Sequence, residues 1–87
     1  MTIEQIIERN YKATVKRGFI SESTGFKDFI NKLNEEVSEL EREKFTDNMA
    51  VEMADVALVI FAMAEHYNIN LISEMELKTL YNEKRND

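Results

Sequence analysis

No proline occurs anywhere in these 87 residues, and glycine occurs only at positions 18 and 25. Proline removes a backbone donor and clashes with the preceding turn, while glycine costs about 1 kcal/mol in a helix interior. A chain this poor in both has little to interrupt a helix, so the expected fold class is all-α. The length suits one domain, residues 1–87. An apolar content of 44% is ample for a core and sets the chain apart from a disordered acidic tail. With no cysteine, disulfides, thiolate nucleophiles and zinc–thiolate sites are all excluded.

Period and punctuation predict four helices. Thr2 is placed to cap a first helix, with Ile3, Ile6, Ile7 and Tyr11 along one face. That helix should fade at Lys16-Arg17, with Gly18 as its stop. Ser23 or Thr24 would cap the second, whose stripe is Phe26, Phe29, Ile30, Leu33, Val37 and Leu40, running to about Lys44. Thr46 or Asp47 would cap a third helix through His66. Asn68-Ile69-Asn70 then makes a turn before a fourth, from Leu71 to about Arg85.

The third helix stands apart. Between Met49 and Ala64 it reads MAVEMADVALVIFAMA, in which Glu52 and Asp55 are the only residues that are not apolar. A helix apolar all round must be covered all round, which one further hairpin cannot do. The run is also too short to span a bilayer, which takes about 20 apolar residues. An antiparallel central helix hairpin, assembled into an oligomeric helical bundle, is therefore expected, as a homodimer or homotetramer. The Met residues of this helix read as core filler and His66 as a helix-end cation or packing residue.

Charge is unevenly spread. Seventeen Asp and Glu against 11 Lys and Arg give a net −6. Residues 33–76 hold eleven acids and two bases, a net of −9, between ends of +2 and +1. Acidity of this kind repels nucleic-acid polymers and anionic membranes. It is usually a solvated face.

Some of the acids have two readings: Glu52 and Asp55 reach the helix edge to meet solvent, an Arg or a Lys, or they join a second acidic cluster in a site. Glu52 and Asp55 sit three apart inside the apolar helix, on neighbouring turns. On the second helix Glu35, Glu36 and Glu39 fall within about a 100° sector beside the apolar stripe. If the two helices pack antiparallel, the pairs Glu36/Glu39 and Glu52/Asp55 converge. Four carboxylates at close quarters need a cation, and oxygen ligation suits Mg²⁺, with Mn²⁺ as a substitute. Di-iron sites use Glu-x-x-His pairs, and His66 does not lie three residues after any glutamate. On the fourth helix Lys78, Asn82 and Arg85 share about 60° of one face, suited either to phosphate oxygens or to solvent. Lys32, four residues before Glu36, suits a phosphate contact or an i, i+4 ion pair.

In order, these elements are Glu35-Glu36-x-x-Glu39, Glu52-x-x-Asp55 after twelve intervening residues, and Lys78-x-x-x-Asn82-x-x-Arg85. The set resembles the MazG-like family of all-α nucleoside triphosphate pyrophosphohydrolases, whose pattern is EExxE, ExxD and a downstream KxxxNxxR. The stretch KLNEEVSEL from Lys32 to Leu40 adds to the likeness, which is strongest over residues 26–85. The resemblance implies a hydrolase that cleaves a nucleoside triphosphate to its monophosphate and pyrophosphate. It also implies that Glu36, Glu39, Glu52 and Asp55 hold Mg²⁺, and that Glu35 assists a metal or orients the attacking water. Lys32, Lys78, Asn82 and Arg85 would contact the phosphates. No Ser–His or Cys–His arrangement points to a covalent intermediate, and the resemblance implies Glu35, Glu36 and Glu39 as the catalytic carboxylates. The alternative from another class is a non-catalytic acidic helical dimerisation or adaptor module. The opening residues show no secretory pattern, so a cytoplasmic location is expected.

Overall fold

A computed structural model describes residues 1–87 as four helices and no strand: α1 (Ile3–Lys16), α2 (Phe26–Arg42), α3 (Met49–His66) and α4 (Leu71–Glu83). The all-α expectation holds.

Local chemistry explains most boundaries. Thr2 Oγ1 accepts from Gln5 N–H at 3.1 Å, and Gln5 Oε1 accepts from Thr2 N–H at 2.8 Å, a reciprocal cap on α1. At its other end Gly18 has φ +83°. Its N–H donates to Val15 O and that of Phe19 to Thr14 O, the paired bonds of a Schellman stop. Asn68, φ 57°, does the same for α3, with Asn68 N–H on Glu65 O and Ile69 N–H on Ala64 O. Asn70 then caps α4, its Oδ1 accepting from Ser73 N–H at 3.1 Å.

Two predicted caps move. The cap of α2 is Gly25, not Ser23 or Thr24, because Asp28 reaches back to accept from Gly25 N–H at 2.8 Å while Thr24 Oγ1 accepts from Ser21 N–H. The cap of α3 is Asn48, and Thr46 instead braces the turn by donating to Glu43 and accepting from Asn48 N–H. α2 and α4 each stop two residues short of expectation, so Arg85 lies just beyond α4.

The body is α1, α2 and α3. α2 and α3 form the largest helix–helix interface and α1 packs on α3, whereas α4 shares no comparable interface with any of them. Ile20, Phe29 and Ala62 make the core, with Tyr11 and Met63 against it, and Ile7 and Ala64 are also buried. His66 ties three parts of the body together. Its Nδ1 accepts from Tyr11 Oη–H at 3.0 Å, and its Nε2–H donates to Thr24 O at 2.9 Å. The Thr24 carbonyl can only accept, which fixes this tautomer for the neutral ring. His66 also packs against Phe29 and Tyr67, ring centroids 5.1 Å away in each case. It is a packing residue rather than a ligand.

One chain does not cover α3. Val51 and Met53 remain more than half exposed, and no helix is long and apolar enough to cross a membrane.

Candidate metal centre

The strongest cluster of functional groups lies where the C-terminal half of α2 meets the first turns of α3. Glu36, Glu39 and Glu52 each offer a carboxylate oxygen there, all within 4.8 Å of one another. Glu36 and Glu39 are one helical turn apart, and the pairing of α2 with α3 brings Glu52 to them. Glu36 is the only buried charged residue in the chain, at 7% exposure, and Glu39 and Glu52 are half-buried.

Lys32 neutralises only part of this charge. Its Nζ is 3.1 Å from Glu36 Oε1 and 3.8 Å from Glu35 Oε1, the i, i+4 and i, i+3 geometry of a helix-surface ion pair. The other oxygen of Glu36 and one oxygen of Glu52 are buried and accept no hydrogen bond. Electrostatics follows the geometry. Repulsion from Glu36, then burial, and repulsion from Glu52 and Glu35 together hold the Glu39 carboxyl above the usual carboxylate range. The Lys32 ammonium is held above its ordinary value chiefly by its hydrogen bond to Glu36, against the opposing effect of burial.

A cavity of about 450 Å³ adjoins the cluster. Glu35, Glu36, Lys32 and Asp55 line it, so Asp55 faces the same space without joining the tight three-carboxylate group. The far wall comes from α1 and the α1–α2 loop: Asn10, Thr14, Arg17, Phe19 and Ile20. Phe19 is largely exposed at the rim, with Arg17 Cζ 5.6 Å and Lys32 Nζ 5.9 Å from its ring centroid. None of these wall residues falls within the acidic or basic motifs of the sequence. Asn10, Thr14 and Arg17 are spaced by four and three, a polar stripe on one face of α1 that could have drawn notice.

The α4 trio lies elsewhere. Lys78, Asn82 and Arg85 are exposed, and none lines the cavity. Their partners are local: Lys78 Nζ sits 4.6 Å from the Tyr81 ring centroid, and Arg85 bonds Asn82 Oδ1 and pairs with Asp87. Within one chain, then, the carboxylates and Lys32 come together and the α4 cations stand off.

No family model, curated protein or solved structure matches this chain.

Proposed function

We propose that the protein is a Mg²⁺-dependent nucleoside triphosphate pyrophosphohydrolase of MazG-like type, working on small nucleotides rather than nucleic-acid polymers. The observation that carries this reading is the pair of buried, unpartnered carboxylate oxygens on Glu36 and Glu52. A buried carboxylate oxygen without a donor costs about 1–3 kcal/mol. Two of them beside Glu39, with Lys32 reaching only the other oxygen of Glu36, suit a cation. An adaptor gains nothing from carboxylates turned inward, which disfavours the alternative.

Glu36, Glu39 and Glu52 would hold the ion, with Asp55 reaching it from the cavity wall. Bound there, Mg²⁺ or Mn²⁺ would supply neutralisation of the phosphate oxygens and acidification of water. Glu35, whose one ion pair is the long 3.8 Å approach to Lys32, is free to orient that water and accept its proton. Lys32 is placed to shift from Glu36 to a phosphate oxygen when substrate enters, and the 450 Å³ cavity is of a size to take a nucleoside. The pairings Phe29 with His66 at one end of α2 and Glu39 with Glu52 at the other fit an antiparallel α2–α3 hairpin. A cytoplasmic setting, where nucleoside triphosphates are made, suits this chemistry.

The test is pyrophosphate release from a panel of dNTPs and NTPs with Mg²⁺ or with EDTA. Metal-dependent release that Glu36→Gln and Glu52→Gln both abolish, in variants whose circular dichroism is unchanged, is expected. Release that persists at the wild-type rate in both variants overturns the site.

A further inference from the structure

The far wall of the cavity has two parts, and a single side chain outside the cavity bonds to both. Asn10 and Thr14 come from α1, while Phe19, Ile20 and Thr24 come from the α1–α2 loop. Tyr11, next to Asn10 and three residues before Thr14, donates its hydroxyl proton to His66 Nδ1 at 3.0 Å. Thr24 O accepts from His66 Nε2–H at 2.9 Å. The two bonds span 55 and 42 residues of sequence, so each joins parts of the chain that local structure does not bring together.

The loop has little else to orient it. Its other hydrogen bonds run within itself or to the helices it joins, as from Ser21 N–H to Thr24 Oγ1, Thr24 N–H to Ser21 O and Gly25 N–H to Asp28. Ile20 is buried against Phe29 and Ala62, which sets the depth of the loop. Apolar burial has no direction, however, whereas a hydrogen bond weakens steeply off line. The bond from His66 is the one directional tie between the loop and α3.

The residue type fits that task. A neutral imidazole presents one acceptor and one donor at separate edges of a flat ring. Here the ring is held between Phe29 and Tyr67, centroids 5.1 Å away, so its direction is set by packing before either bond forms. A site that needed only volume would favour an apolar ring, which has no nitrogens to desolvate. His66 lies one turn beyond Ala62, which lines the cavity, and does not line it itself. It is fourteen residues from Glu52, about 20 Å along α3.

We propose that His66 is a positioning residue for substrate binding: through Tyr11 and Thr24 it sets the wall that holds the nucleoside part of the substrate, and it takes no part in the chemistry at the carboxylates. That the cavity receives a nucleoside rests on the hydrolase reading. That His66 sets the wall does not.

Three variants of the full chain test this. His66→Phe keeps a ring and loses both bonds, His66→Gln retains one acceptor and one donor, and Tyr11→Phe loses the α1 bond alone. In ¹⁵N relaxation without ligand, the order parameters of Ser21, Thr24 and Gly25 should fall from about 0.85 to below about 0.6 in His66→Phe, and return in His66→Gln. Those of Glu39 and Glu52 should stay at the parental value. A loop as rigid as the parent's in His66→Phe overturns the proposal. For a nucleotide the parent hydrolyses, His66→Phe should raise KM about tenfold and leave kcat within about twofold, the split expected for lost binding. Mn²⁺ affinity, measured without nucleotide, should match the parent's. An unmoved KM, a fall in kcat alone or a loss of Mn²⁺ affinity overturns the proposal. Should His66→Phe not fold, Tyr11→Phe should raise KM by about threefold with kcat unchanged, and its failure to do so is equally decisive. If the parent hydrolyses nothing, the hydrolase reading fails, and the order parameters still decide whether His66 sets the wall.

Discussion

Glu52 shows what a single side chain contributes to this fold and what it takes away. One of its carboxylate oxygens is buried, accepts nothing, and faces Glu36 and Glu39. For stability alone an amide would serve better, because it removes a charge and brings a donor for Glu36. Glu52→Gln is therefore expected to raise stability in EDTA by about 1 kcal/mol in urea unfolding, while removing the protection that Mg²⁺ gives the parent. A loss of stability in EDTA would mean that Glu52 is paired in the free protein. His66 shows the opposite case. Both its nitrogens are used, by Tyr11 and by the Thr24 carbonyl. His66→Phe keeps the ring packing against Phe29 and strands both partners, so a loss of about 1–3 kcal/mol is expected by thermal unfolding. With Tyr11→Phe already in place the further loss should be smaller, since one stranded group is then gone.

Within single elements, sequence was a good guide where structure is local. The helices, the Gly18 stop and the Asn68-Ile69-Asn70 turn could be read because breakers and periods act within a few residues. Gly18 is the clearest: at φ +83° with no atom within 4 Å of an added Cβ, Gly18→Ala meets only the backbone penalty, about 1–2 kcal/mol by urea unfolding. The caps of α2 and α3 were missed because the rule looks for a side chain at the cap. Asp28 instead reaches back from inside the helix, and Thr46 is committed to the preceding turn. Of the candidate site, the Glu36/Glu39 pair was legible as an i, i+3 spacing and Glu52 through its apolar surroundings. The α1 wall of the cavity was not, since nothing local says which helix faces which. Glu39 gives this packing a pH signature. Its folded pKa lies above the ordinary 4.5, so its contribution is fully present below 4.5 and is lost as pH rises through the folded value. The stability gap between Glu39→Gln and the parent, measured in EDTA, should thus widen from pH 4.5 towards neutrality and close again with Mg²⁺. A gap independent of pH would show that the three carboxylates do not repel one another.

For the molecule as a whole, the thin core is the decisive fact. Six residues of 87 are buried and no large side chain is fully so, yet α1, α2 and α4 have side-chain hydrogen bonds at their N-termini and the apolar content is ample. Sequence could signal that α3 needs cover on every side, but not where α4 would go, because nothing local says which surface a helix end will meet. A chain that completes its core with a second copy unfolds and dissociates in one step, so its stability depends on protein concentration. Each tenfold increase in concentration adds about 1.4 kcal/mol per dimer. Divided by the unfolding entropy of two such chains, about 0.37 kcal/mol/K, this becomes a rise in Tm of roughly 4 °C. Scanning calorimetry over two decades of concentration should accordingly raise Tm by about 8 °C for the parent. A parent Tm that ignores concentration would mean that these half-exposed helices stand alone, and the apolar surface around Glu52 would then need another occupant.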